Sequence, residues 1–286
     1  MIVTPLDIAK TMTLPVVQVV AATIAEGWED SVKACWSGTD IATQYDKRGD
    51  PNSRDIALAL TVLDPLAEPR IHRAMPGGFD DLEVYRQEVV DGIHDRWIDR
   101  TPGSTKWRYT YHERFTSYNA PGQKPVDQLA AVVDALVKAP HTRRAIAITW
   151  EPWFDPGSDD PPCVQYLWFR IFGDQLVMNL HIRSNDAYKA AFMNMYALTD
   201  LQRVIAERVS ERLGRVIVPG QYNHFVDSFH IYGSYFDEFK GFLRSVEERS
   251  WDQRTYRTDD PFVMQLMAEA REEVAAKLAH EKEVGR

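Results

Sequence analysis

Residues 159–186 read DDPPCVQYLWFRIFGDQLVMNLHIRSND. Two apolar, β-rich runs, 164–172 and 175–183, flank the dipeptide Gly173-Asp174. A two-residue Gly-Asp step between such runs is a hairpin signal. Cys163 stands just before the first run. The polar tetrapeptide Arg183-Ser184-Asn185-Asp186 closes the second, one strand later.

Outward from this hairpin, residues 145–150 form another short β-type run and 56–63 an apolar one that suits a strand. Helical spacing is expected over 15–36, over 79–99 up to Pro102-Gly103, and over 193–212. It is clearest over 126–138, where Leu129, Val132, Val133, Leu136 and Val137 share a face. Residues 229–249 are expected to be helical at least in part. Asp260 opens a charged helix toward Glu283, with Pro261 in its first turn. Residues 46–54, DKRGDPNSR, and 119–125 read as loops. No repeat, low-complexity segment or linker interrupts the chain. The expectation is one α+β domain over 1–286 with a large mixed β-sheet flanked by helices.

The 286 residues are 44% apolar, enough for a substantial core, and 26% charged, which excludes wholesale disorder. Lys and Arg number 33 against 42 Asp and Glu, a net charge of −9. Such a chain is a poor general binder of nucleic acid or anionic membrane, so neither is expected as a partner. A few arginines can still build a local pocket for a small anion. The most apolar stretch, 14–25, is short for a membrane span and carries Gln18 and Thr23. No basic region or small-residue cleavage site marks a signal peptide. Two cysteines, Cys35 and Cys163, cannot make a disulfide framework or a four-Cys zinc site. A cytoplasmic protein with reduced thiols and no metal is expected.

Taken singly, the polar residues are ambiguous. Cys163 before an apolar strand is by default a small buried hydrophobe, and Cys35 lies inside a helical pattern beside Trp36. Arg183 and Ser184 offer a fork and a hydroxyl suited to phosphate, or simply end a strand. Arg143-Arg144 suits an anion or a solvated edge. His230-Ile231-Tyr232 suits a ligand hydroxyl or aromatic packing.

Their order and spacing carry more. Arg143 and Arg144 lie 20 and 19 residues before Cys163, Tyr111 lies 52 before it, Arg183 20 after it, and Asn194 11 after Arg183. This series, with Pro-Cys, Arg-Ser-x-Asp and His-x-Tyr, resembles thymidylate synthase and the related pyrimidine-nucleotide hydroxymethylases, from about Tyr111 to Tyr232. The resemblance implies that fold, with the sheet packing at a homodimer interface. It implies 5,10-methylenetetrahydrofolate as co-substrate and a Cys163 thiolate that adds to C6 of a pyrimidine nucleotide. C5 then attacks the one-carbon unit. Loss of folate leaves an exocyclic methylene, which water converts to hydroxymethyl or folate hydride to methyl. A thiolate implies nearby cations that lower the thiol's pKa, with Arg183 the candidate.

The same resemblance implies the remaining roles. Phosphate would be held by Arg183, Ser184 and, across the dimer interface, Arg143 and Arg144. Lys47 or Arg48, in Asp46-Lys47-Arg48-Gly49, would add to it, although the usual Thr-Gly-Thr-Gly continuation is missing. His230 and Tyr232 would bond the sugar. Asn185 and Asn194 would face the nucleotide, with Asn194 reading the base. Asp186 would contact the pterin, with Ala190 and Met193 on the pocket floor. Tyr111, Asp186 and Asn194 join Cys163 in the catalytic set, as does Glu88, the carboxylate that would order water and relay protons at the base. Glu88 is also readable as a solvated helix carboxylate. Only 23 residues separate Glu88 from Tyr111, so a folate-contacting segment is shortened.

Several departures favour hydroxymethylation of CMP or dCMP. Asn185 replaces the usual Cys, Ser228-Phe229-His230 and Asp160 look like the deoxycytidylate hydroxymethylase branch, and a charged helix replaces the closing apolar tail. Asn194 fits uracil, although an amide accommodates cytosine by flipping. Ala190 and Met193 replace Gly and Phe. The rivals are dUMP methylation, a Cys163 hydrolase using His181 or His230, and a catalytically idle nucleotide or RNA binder.

Overall fold

A computed structural model describes residues 13–283. Its centre is a mixed sheet in the order β1 (Val16–Ala21), β3 (Ser53–Val62), β9 (Val218–Ile231), β7 (Gln175–Ile182), β6 (Val164–Phe172), β5 (Ala145–Ile148). Strand β2 (Thr39–Ile41) pairs with β3, and β8 (Asn185–Asp186) with β9. The β1/β3 and β7/β9 pairs are parallel, and β3/β9, β6/β7 and β5/β6 are antiparallel. Gly173, at φ +61°, permits the two-residue turn between β6 and β7, so the hairpin forms as read.

Helices α1 (Ile24–Trp36), α4 (Gln128–Lys138) and α5 (Ala191–Leu213) pack on the sheet. Helix α2 (Phe79–Asp91) packs on α5, and α8 (Pro261–Glu283) packs on α2. The short helices α3 (Tyr111–Thr116), α6 (Phe236–Glu248) and α7 (Trp251–Arg254) fill the gaps, and β4 (Ile71–His72) pairs with β10 (Thr255–Tyr256). Strand periodicity separates the faces: Ala145 and Ala147 are buried, while Ile146 and Ile148 are exposed. Val16, Val20 and Phe172 are also exposed. No helix among the described residues is long and apolar enough to cross a membrane.

Four segments differ from the sequence reading. Residues 15–36 are a strand followed by a helix. The β-branched run at 16–20 pairs with β3, and Thr23 caps α1 by accepting the Glu26 amide. The helix expected over 79–99 ends at Asp91, because Gly92 adopts φ +68° and a single 3-10 turn follows at Asp95–Trp97. Residues 229–231 close β9, and helix begins only at Phe236. The expected loop over 46–54 gives way to β3 from Ser53.

Candidate active site

The β6–β7 register explains the 20-residue spacing. Val164 pairs with Ile182, so the flanking residues Cys163 and Arg183 are neighbours, and the Arg183 amide donates to the Cys163 carbonyl at 2.9 Å. The Arg183 guanidinium turns back on the same segment. Nε donates to the Pro162 carbonyl at 3.0 Å and Nη2 to that of Pro161 at 2.6 Å. Among the described residues it pairs with no carboxylate, so its charge stays available. Burial nevertheless pushes the Cys163 thiol above its ordinary value, Arg183 opposes the rise, and Asp160 adds to it. Arg183 lowers this pKa as expected, but desolvation outweighs it, so the thiol does not fall below its ordinary value.

Tyr111 reaches the same strand end, where its hydroxyl oxygen accepts the Val164 amide at 3.3 Å. It is the first residue of α3, whose cap Thr110 accepts the Glu113 amide at 3.0 Å. Burial, then the nearby Cys163, raises the Tyr111 hydroxyl pKa. One turn further on, Arg114 anchors this helix. It is wholly buried and forks onto Asp155 at 2.7 and 3.1 Å, with Glu151 at 3.1 Å.

Helix α2 presents Tyr85 and Glu88 three residues apart, on one face. Past the stop at Gly92 the chain folds back, and His94 Nδ1 meets Glu88 Oε2 at 2.8 Å. The Glu88 side chain is only 15% exposed, so it is no solvated helix carboxylate. Burial raises its pKa against the pull of His94. The Tyr85 hydroxyl donates to Asn194 Oδ1 at 2.5 Å, and Asn194, near the start of α5, is itself buried. Tyr85 and Glu88, with Trp107, Arg108, Tyr109 and Asp160, line a cleft of about 320 Å³. The same two residues open onto an adjoining cleft that includes Met193 and Lys189.

Strand β8 brings in the other motif by pairing Asp186 with His230. Asp186 Oδ1 accepts the Lys189 and Tyr188 amides at 2.8 and 3.0 Å, while burial raises the carboxyl's pKa. His230 is buried, and its Nε2 has no hydrogen-bond partner among the described residues. The Tyr232 ring lies 4.7 Å from the imidazole, and burial pushes its hydroxyl to about 12. A Cβ at Gly233 would fall 1.8 Å from the Pro51 carbonyl oxygen, so this glycine lets the 46–52 loop close on the end of β9. Lys47 and Arg48 are exposed on that loop, and Tyr45 packs edge-on to Tyr232.

Ser184 is half-buried beside Arg183, and Ala190 half-buried at the cap of α5. Asn185, expected against the nucleotide, is buried with its Oδ1 held by His224 Nε2 at 3.1 Å. Burial lowers His224 to about 3, so the neutral ring donates there and accepts from the Tyr222 hydroxyl at 2.7 Å. Arg143 and Arg144 do not join the cluster within one chain. They precede Ala145, which pairs with Phe169, six residues along β6 from Cys163 and about 20 Å away at ~3.3 Å per residue. Sequence reasoning missed Tyr85, His94, Trp107 and Tyr109. Only Tyr85 had a signal, its position one helical turn before Glu88.

A sequence model described as thymidylate synthase matches residues 80–257, which hold all of this geometry except the 46–52 loop. The chain belongs to the thymidylate synthase family. Among its relatives, a protein of Methanococcoides burtonii named "Putative thymidylate synthase" is 26% identical over 227 residues, 79% of this chain and 94% of that protein. One of the same name from Methanocaldococcus jannaschii is 31% identical over 200 residues, 68% of this chain and 81% of that one. The thymidylate synthase-like fold places Cys163, Arg183, Tyr111, Asp186 and His230 around the ends of β6 to β9. A larger cleft of about 560 Å³ lies on the other side of α2 and α5, lined by Arg70, Arg86, Asp200, Arg203 and Arg271. Carboxylates of Glu83 and Asp200 pair Arg86, Arg203 and Arg271, and neither cysteine is among its lining residues.

Proposed function

We propose that this family member is a one-carbon transferase that hydroxymethylates C5 of a pyrimidine nucleoside monophosphate, CMP or dCMP. The observation that carries the reading is the pairing of Cys163 with an Arg183 whose charge no carboxylate cancels. A nucleophilic sulfur and a free cation on one strand end suit an electrophilic ring bearing a phosphate. Cys163 Sγ adds to C6 of the ring, and C5 becomes nucleophilic. Arg183 and Ser184, with Lys47 or Arg48 from the adjacent loop, bind the phosphate. The orphaned Nε2 of His230 and the Tyr232 hydroxyl take sugar hydroxyls, because a buried ring nitrogen without a partner is unfavourable until it acquires one. Glu88, whose pKa burial raises against the pull of His94, moves protons at the base.

The co-substrate of the family, 5,10-methylenetetrahydrofolate, supplies the one-carbon unit when bound. The cleft beside Glu88 suits it, since Trp107 and Tyr109 offer flat faces to a fused ring and Lys106 and Arg108 offer cations to a carboxylate. Met193 lines the adjoining cleft, and Asp186 and Ala190 precede it on the chain as further candidates for this ligand.

The catalytic unit is the whole chain, acting as a homodimer. Exposed Val16, Val20, Ile146, Ile148 and Phe172 provide an apolar surface for a second copy. The distance of Arg143 and Arg144 from their own Cys163 leaves them free to serve the partner's site. An end-point assay tests the reaction, with methylenetetrahydrofolate against CMP, dCMP, UMP and dUMP and products identified by mass. A hydroxymethyl gain with tetrahydrofolate release is expected. A methyl gain with dihydrofolate would make it a dUMP-type methylase, which Asn194 also fits. No product from any of the four would overturn the transferase reading.

A further inference from the structure

We propose that Tyr85 sets which pyrimidine the site accepts, by holding the Asn194 amide in one orientation. The inference rests on Asn194 reading the base. An asparagine side chain is nearly the same shape when flipped, yet flipping exchanges acceptor for donor. Cytosine shows an acceptor at N3 beside an amino donor, and uracil shows a donor at N3 beside a carbonyl acceptor. An unrestrained amide therefore serves both bases, and a fixed one serves one of them.

The structure supplies the restraint. The Tyr85 hydroxyl donates to Asn194 Oδ1 at 2.5 Å, and it makes no other hydrogen bond among the described residues. A flipped Asn194 would offer an N–H to the phenol oxygen and leave the phenol's own proton without an acceptor. Asn194 is 7% exposed, and burial is the dominant influence on the Tyr85 hydroxyl although its ring borders the clefts, so water has little access to repair the loss. The flipped state therefore keeps one hydrogen bond but leaves a buried donor unsatisfied, which disfavours it by about tenfold to a hundredfold. The phenol stays protonated, because burial and the neighbouring Tyr111, Glu88 and Cys163 all oppose its ionisation. Tyr85 is thus a positioning residue whose effect is on selectivity.

The test compares wild type with Tyr85→Phe, which keeps the ring and removes the hydroxyl. Two quantities are read: kcat/KM with methylenetetrahydrofolate, and nucleotide Kd from intrinsic tryptophan fluorescence without folate, each for CMP, UMP and their deoxy forms. Wild type should prefer one base, and Tyr85→Phe should shrink that preference by about tenfold or more. The rate on the favoured base should fall less than the preference does. The background Asn194→Asp provides a second reading. With no amide to flip, adding Tyr85→Phe there should leave the base preference unchanged.

A preference that survives Tyr85→Phe, with all rates falling together, overturns the inference and leaves the proposed reaction standing. So does an equal change of preference in the Asn194→Asp background, or a wild type that takes both bases alike. Absence of both turnover and binding for all four nucleotides in the wild type overturns the reaction and the inference together.

Discussion

Two arginines in this molecule, both held by strand ends, differ in how their charge is spent. Arg114 is wholly buried and meets two carboxylates, Asp155 in a fork and Glu151 at 3.1 Å. Arg183 is half-buried, and among the described residues its guanidinium meets only the carbonyls of Pro161 and Pro162. Carbonyl dipoles fix a guanidinium without neutralising it, whereas carboxylates do both. The first arrangement locks α3, and with it Tyr111, against the end of β5. The second leaves a positive charge beside a thiol. A region built for structure and a region built for chemistry are thus distinguished by the partner of one side chain.

Substitutions should separate the two regions. The largest effect falls at the sulfur. Cys163→Ser is expected to lower kcat by a factor of at least about a thousand, since a serine hydroxyl is a far weaker nucleophile than a thiolate. Nucleotide Kd should move little, because the sulfur attacks and does not anchor. Turnover within tenfold of wild type would refute the covalent route. Next is Arg114→Met, which leaves Asp155 without its cation and Glu151 with Arg100 alone. Breaking a buried ion pair from one side costs about 3–5 kcal/mol, to be read as a lower urea midpoint. A shift under about 1 kcal/mol would mean that the network is not holding α3.

Smaller again, Arg183→Ala should weaken nucleotide binding and slow turnover, each about tenfold to a hundredfold, from loss of a charge-assisted contact. Its urea midpoint should stay close to that of wild type, the opposite of Arg114→Met. Unchanged nucleotide affinity in Arg183→Ala would remove the phosphate assignment. Were both arginine variants to lose stability alike, the contrast between the two regions would fail.

How much of this was readable beforehand follows the same division. The β6–β7 hairpin was legible because two apolar runs and a Gly-Asp turn are local signals, and its register accounts for the Cys163 to Arg183 spacing. Strand β9, which lies inside the sheet and carries His230, was not legible. Its sequence VPGQYNHFVDSFHI breaks the apolar pattern with Gln221, Asn223, His224 and Asp227. Several of those polar groups are satisfied across strands, as when Asn223 donates to Asn179 at 2.7 Å and accepts from Thr61 at 2.8 Å, while Gln221 donates along β9 to Asn223. That information is absent from local periodicity. Strand β1 was misread because an apolar, β-branched run of six residues directly precedes a real helix. In the site, residues of chemical type at fixed spacing were found, while Tyr85 and His94 were missed because their partners come from a helix packing and a helix stop.

The last comparison is between the two cysteines, and it probes the electrostatics directly. Cys35 is wholly buried, and desolvation raises its pKa well above the ordinary 9.0. Cys163 is half-buried and raised from the same value by desolvation, with Arg183 opposing. A raised thiol pKa favours the protonated folded state. The stability it contributes is complete below pH 9.0 and is lost as pH rises through the folded pKa. Iodoacetamide reacts with the thiolate. Alkylation of the native protein should therefore report Cys163 alone, with a rate that climbs through a midpoint above pH 9.0. In Arg183→Ala the midpoint should move higher, because the opposing cation is gone and desolvation remains. A wild-type midpoint below 9.0 would show that Arg183 outweighs burial, and an unmoved midpoint in the variant would show that its charge does not reach the sulfur.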